Sequence, residues 1–133
     1  MSRPAVVLDT HAWFWSNNQE ARLGDEARSA IAGADGIGVS AVSCWELAML
    51  ASKGRLEFPQ GVRTWIRQAL ALPGVVALPL DPEAAVDAAL LERELLGADP
   101  ADRMIYATAR SRGALLVTKD RQLRDFDPRG TLW

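Results

Sequence analysis

The sequence predicts an α/β fold in which helices cover both faces of a central, mostly parallel sheet. Short apolar runs alternate with helical patterns along the chain. The run that ends at Asp9 is short, apolar and rich in β-branched residues, as expected of a strand buried on both faces. No cysteine pair, low-complexity tract or internal repeat suggests another class.

The first strand is predicted over residues 5–8, where Ala-Val-Val-Leu stops at Asp9. Further strands are predicted over 37–40, 75–78, 114–118 and, shortest of all, 131–133. Between them, apolar residues at helical spacing predict helices over 10–16, 25–34, 41–52, 61–72, 82–96 and 100–112. Pro82 and Pro100 suit the first helical position, with Asp81 and Asp99 as N-caps before them. Gly54 and Gly113 suit the positions just past helix ends.

A chain of 133 residues with 49% apolar content is expected to be one domain over 1–133. Its formal net charge of −2 argues against a broad polyanion-binding surface. Arginine far outnumbers lysine, which fits a coding bias better than dedicated phosphate recognition. Cys44 is alone, so no intrachain disulfide forms, and a reducing cytoplasm is the expected location. The run before Asp9 is too short for a signal segment. No stretch approaches the roughly 18 apolar residues of a membrane span.

Four acids stand where apolar residues are expected. Asp9 and Asp120 each follow an apolar strand run, and Glu46 has Val42, Met49 and Leu50 at i−4, i+3 and i+4. Asp102 has Ala98, Ile105 and Tyr106 at the same offsets. Parallel sheets gather ligands at the C-terminal strand ends, where Asp9 and Asp120 emerge. Clustered half-buried carboxylates repel one another unless a cation joins them. The adjacent basic residues, Arg103 and Lys119, sit at i+1 or i−1 and are expected to face elsewhere. With oxygen donors, no cysteine cluster and a single histidine, the expected ion is Mg²⁺, or Mn²⁺ in its place, rather than Zn²⁺.

Each acid also has an ordinary reading. Asp9 fits an N-cap as well as a ligand, Asp120 alone fits a cap better, and Asp102 fits a first-turn acid facing the helix dipole. Glu46, in mid-helix, has the weakest ordinary explanation.

Leu8-Asp9-Thr10-His11, Ser40 to Leu47 with Lys53-Gly-Arg-Leu following, Asp99-Pro-Ala-Asp-Arg-Met-Ile and Val117-Thr-Lys-Asp120 resemble the motifs of PIN-domain ribonucleases in order and spacing. The chain looks most like the VapC-type toxins of bacterial toxin–antitoxin pairs. The resemblance covers nearly the whole chain and implies a PIN-like three-layer α/β/α fold. By position it carries the family's acidic quartet onto Asp9, Glu46, Asp102 and Asp120. It further implies Mg²⁺-dependent endoribonuclease activity on RNA, inhibition by a cognate antitoxin protein, and a homodimer. Ala101 departs from the aromatic often found there, and Gly97-Ala98 from the polar residue or histidine often carried there; both bear on packing and substrate fit, not on the ligand set.

Asp9 and Asp102 are read as principal ligands, with Glu46 and Asp120 as ligands or water-mediated partners. Thr10 and Thr118 orient carboxylates or serve as plain caps; the residues leave both open. Asp99 is an N-cap first, near enough to assist, and Arg103 either contacts phosphate or pairs with an acid. His11 reads as a structural donor. Trp13, Trp15, Trp45 and Trp65 are better explained by packing, in the core or between subunits, than by base stacking. Two other classes compete: a non-catalytic PIN-fold module that binds RNA or protein, and a phospho-acceptor signalling domain. The second would need Asp81 as acceptor and leaves Glu46 and Asp102 unexplained.

Overall fold

The computed structural model describes residues 4–133; the first three residues of the 1–133 unit lie outside it. Five strands, β1 (Val6–Leu8), β2 (Ile37–Ser40), β3 (Val75–Leu78), β4 (Leu115–Val117) and β5 (Thr131–Leu132), form one sheet in the order β3-β2-β1-β4-β5. Every pairing is parallel. The central strand β1 is buried along its length, and its side chains alternate between two cores. Val6 and Leu8 join Ala12, Trp13, Val39 and Leu47 on one face. Val7 joins Leu78, Ile105, Leu116 and Leu123 on the other.

The helices are α1 (Thr10–Asn18), α2 (Asp25–Gly33), α3 (Ala41–Ser52), α4 (Val62–Leu70), α5 (Pro82–Leu90), α6 (Pro100–Ser111) and α7 (Arg121–Phe126). The capping expectations hold. Asp81 accepts from the Ala84 N–H and Asp99 from the Ala101 N–H, each at 2.8 Å, with Pro82 and Pro100 opening the helices. Gly54 and Gly113 take φ of 71° and 66° just past α3 and α6, a region that side-chain-bearing residues avoid.

Several elements differ from expectation, most of them by one or two residues at an end. The helix predicted over 82–96 leaves α-helical geometry after Leu90, where a 3-10 turn (Leu91–Arg93) follows. There the Glu94 N–H bonds the Leu91 carbonyl, and Gly97 at φ 79° turns the chain toward Asp99. The fourth strand is shorter than 114–118. Ala114 N–H still closes α6 on Ala109, and the Thr118 hydroxyl is taken up in the following turn. Helix α7, too short to show periodicity, was not among the predicted helices. Among the described residues no helix is long and apolar enough to cross a membrane.

Because all strands run the same way, their C-terminal ends share one edge. The chain winds outward through β2 and β3 on one side of β1, and through β4 and β5 on the other. The crevice between β1 and β4 is therefore the switch point of the sheet.

Candidate functional site

At that edge Asp9, Glu46, Asp99, Asp102 and Asp120 line one cavity of about 580 Å³, together with His11, Trp15 and Lys119. Asp9 leaves β1 and caps α1, its Oδ1 accepting from the Ala12 N–H at 2.8 Å. Asp120 leaves the β4 end and caps α7, accepting from the Leu123 N–H at 3.0 Å. Asp99 caps α6. The ordinary reading of these residues and their gathering at one cavity are thus both true, because a cap occupies one carboxylate oxygen and leaves the second.

Two buried hydroxyls hold the acids in place. Thr118 bonds the Asp9 carboxylate and accepts from the Asp120 N–H at 3.0 Å, so one side chain ties two acids together. Thr10 donates to Glu46 Oε1 and lies 3.1 Å from the hydroxyl of Ser43, which is fully buried one turn before Glu46 on α3. Asp102, in the first turn of α6, receives no hydrogen bond at its carboxylate among the described residues.

The electrostatics follow from this crowding. Burial pushes the Asp9 carboxyl above the usual carboxylate range, against the opposing pull of Thr118, the Ala12 N–H and His11. Burial raises Glu46 as well, opposed by the Thr10 hydroxyl and abetted by Asp99. Asp102 is pushed furthest, to about 7, first by burial and then by the charges of Glu46, Asp9, Asp99 and Asp120.

The donor chemistry fits a hard divalent ion: carboxylate oxygens from α3, α6 and the β1 and β4 ends, all short of positive charge. Among the described residues no three of them stand in a finished ligand arrangement. Asp9, Asp99 and Asp120 each commit one oxygen to a helix N-terminus and Glu46 one to Thr10, which leaves the second oxygen of each.

Several expectations need correction. Arg103 does not reach the cavity. It is buried between α6 and α5, where Nη1 donates to the Ala88 carbonyl at 3.3 Å and Nε has no partner among the described residues. Lys119, expected to face away, lines the cavity instead, because a residue in a turn is not bound by helical side-chain directions. His11, read as a structural donor, also lines it. Asp81 caps α5 and is not among the cavity acids, so the phospho-acceptor arrangement is not formed. Of the tryptophans, Trp13 and Trp15 pack in the core as expected, Trp13 edge-on to Trp65, whereas Trp45 is 59% exposed and is not core. Sequence reasoning missed Ser43; its spacing of three residues before Glu46 on a helix was the available signal.

Residues 6–128 match the model of the PIN domain. The chain belongs to the PIN domain family. It is 41% identical over 130 residues to Ribonuclease VapC22 of Mycobacterium tuberculosis, covering 96% of this chain and 98% of that protein. Among solved structures, it is similar to VapBC from Salmonella typhimurium bound to DNA, with TM-score 0.68 and 22% identity, covering 96% of both chains. A toxin–antitoxin complex from Klebsiella pneumoniae gives 0.67 and 20%, again over 96% of both. VapC20 of Mycobacterium tuberculosis, described as a sarcin–ricin loop cleaving toxin, gives 0.66 and 16% over the same shares. At these identities the solved structures establish the fold alone, the α/β/α arrangement of helices packed on both faces of the parallel sheet.

Proposed function

We propose that this chain is a Mg²⁺-dependent endoribonuclease, the toxin of a bacterial toxin–antitoxin pair. It acts as a single domain, pairs into a homodimer, and is held inactive in the cytoplasm by a cognate antitoxin. One observation carries the catalytic reading: acids from four separate segments converge on one cavity at the switch point with almost no compensating charge. The 41% identity to a ribonuclease VapC supports the substrate class and the toxin role.

Asp9 and Asp102 would hold the ion directly, with Glu46 and Asp120 as further ligands or through water. When bound, a hard divalent ion supplies the charge that draws in a phosphodiester and the acidity that makes water a nucleophile at neutral pH. The protein's own residues do the rest. Thr118 and Thr10 fix the Asp9 and Glu46 carboxylates, and Ser43 steadies Thr10. Asp99 adds negative potential next to Asp102.

The test sets wild type beside Asp9→Asn and Glu46→Gln on total cellular RNA, with and without EDTA. Internal cleavage by the wild type alone, abolished by EDTA, is the expected result. Variants that cut equally well, or cleavage indifferent to EDTA, would end the metal-dependent reading. A protein that binds RNA without cutting it would favour the non-catalytic binding module.

A further inference from the structure

Lys119 lines a cavity with five carboxylates, yet among the described residues the ion pairs are Arg28–Asp25 and Arg110–Asp127, and Lys119 is in neither. Its ammonium stands instead 5.7 Å from the centroid of the Trp15 indole. The same indole carries the Arg22 guanidinium at 4.5 Å. Trp15 itself is a fixed plate, 8% exposed, with Trp133 edge-on at 5.8 Å and the His11 ring at 5.5 Å. Both cations remain exposed.

A free ammonium beside so many acids is drawn onto them. Attraction to the indole face offsets that pull and holds the charge at the rim, where it is available to an anion arriving from solvent. Arg22 is not among the residues that line the cavity, and among the described residues its one side-chain hydrogen bond is a long one to Gln19 at 3.3 Å. In a chain of net charge −2, such a pair of cations beside an acidic site is a local exception. An anion spaced to meet both cations while one end lies over the acids is a chain of phosphodiesters.

We propose that Lys119 and Arg22, mounted on Trp15, grip the phosphates of single-stranded RNA beside the bond being cut, Lys119 nearest the acids and Arg22 further out. The proposal rests on the ribonuclease reading and names the wall along which the substrate enters.

The test begins by mapping the strongest cut that the wild type makes in total cellular RNA. A labelled 12-nucleotide RNA spanning that cut then serves for steady-state kinetics at several salt concentrations. Lys119→Gln is expected to raise KM by about fivefold to tenfold with kcat little changed, and Arg22→Gln to act in the same sense. Each should flatten the dependence of log(kcat/KM) on log salt by about 0.7, the increment for one phosphate contact on a single strand. Lys119→Arg should restore most of the loss, and Arg67→Gln, which removes an exposed charge elsewhere, should leave KM and slope alone. Cleavage with unchanged KM and slope in Lys119→Gln overturns the proposal while the ribonuclease reading stands. So does an equal effect from Arg67→Gln, or a fall in kcat with altered Mg²⁺ affinity by calorimetry, since Lys119 would then serve to balance the acids. A wild type that cuts no RNA sinks the ribonuclease reading and this proposal with it.

Discussion

Helix α7 has an aspartate at each end, and the two are treated in opposite ways. Asp127, at the C-terminal end, accepts from the Tyr106 hydroxyl and from Arg110 Nη1 at 2.7 Å each, and from the Gly130 N–H at 3.1 Å. The Tyr106 bond leads the causes that hold its carboxyl below the usual range, while burial and the neighbouring carboxylate push the Tyr106 hydroxyl up to about 12. Asp120, at the N-terminal end, faces four more acids and no ion-paired cation. The contrast runs along α6 as well, because Asp102, Tyr106 and Arg110 fall on one stripe at i, i+4 and i+8. One end of that stripe is compensated by the protein; the other, among the described residues, is not. Cavity size does not separate them, since a cavity of about 450 Å³ lies beside the Asp127 network too.

The largest effect that tests this contrast is on cleavage. Asp102→Asn is expected to reduce Mg²⁺-dependent RNA cleavage by about 100-fold or more, because the proposed function makes Asp102 a ligand and supporting partners alone are worth 10-fold to 100-fold. Its metal-free stability should equal or exceed that of wild type, since a repelled charge has been removed. Asp127→Asn should do the reverse, cutting RNA near the wild-type rate while losing about 1–2 kcal/mol, as the Tyr106 and Arg110 bonds weaken. Thermal melts in EDTA with matched cleavage assays decide it. An Asp102→Asn protein as destabilised as Asp127→Asn would mean that the cavity acids are structural after all.

The two carboxylates should also give opposite pH signatures. Asp102 has a folded pKa of about 7 against 3.8 for the ordinary group, so between those values the folded state holds a proton that the unfolded state has released. Stability without metal therefore falls as pH rises through that window, and the penalty is complete above about 7. For Asp127, lowered from 3.8, the contribution is present above that value and is lost as pH falls through the lower folded pKa. Melting temperature against pH in EDTA should flatten on the neutral side in Asp102→Asn and on the acid side in Asp127→Asn. A wild-type curve that rises from pH 5 to 8 in EDTA would contradict the crowding described for Asp102.

How much of this was legible in the sequence follows from which interactions are local. Strand β3 and helix α3 match their predicted limits residue for residue, because a fully apolar run and a helical repeat are local patterns. The four acids were legible for the same reason, each being an anomaly against its immediate neighbours. Lys119 and Arg103 were not. Which cation turns to the cavity is set by the β4–α7 turn and by α5 packing on α6, contacts between segments that no local period records. Asp127 escaped notice too, since its partners lie 21 and 17 residues away and an acid at the end of a short helix is unremarkable alone.

The smallest expected effects compare one hydroxyl in each region. Thr118 is completely buried and joins Asp9 to the Asp120 N–H, and Thr118→Val removes the hydroxyl at nearly constant volume. Asp9 then loses a restraint and the Asp120 N–H an acceptor, which should weaken Mg²⁺ half-saturation and cleavage by about 10-fold. The folded protein should lose about 1 kcal/mol. Because Asp9 would still carry its charge, high Mg²⁺ should restore most of the rate. Tyr106→Phe likewise removes one hydroxyl and should cost about 1 kcal/mol, but with no change in Mg²⁺ half-saturation, since Asp127 keeps Arg110 and lies outside the acidic cavity. Equal shifts in half-saturation for the two variants would show that the regions are coupled along α6 rather than separate, and the division between compensated and uncompensated acids would have to be abandoned.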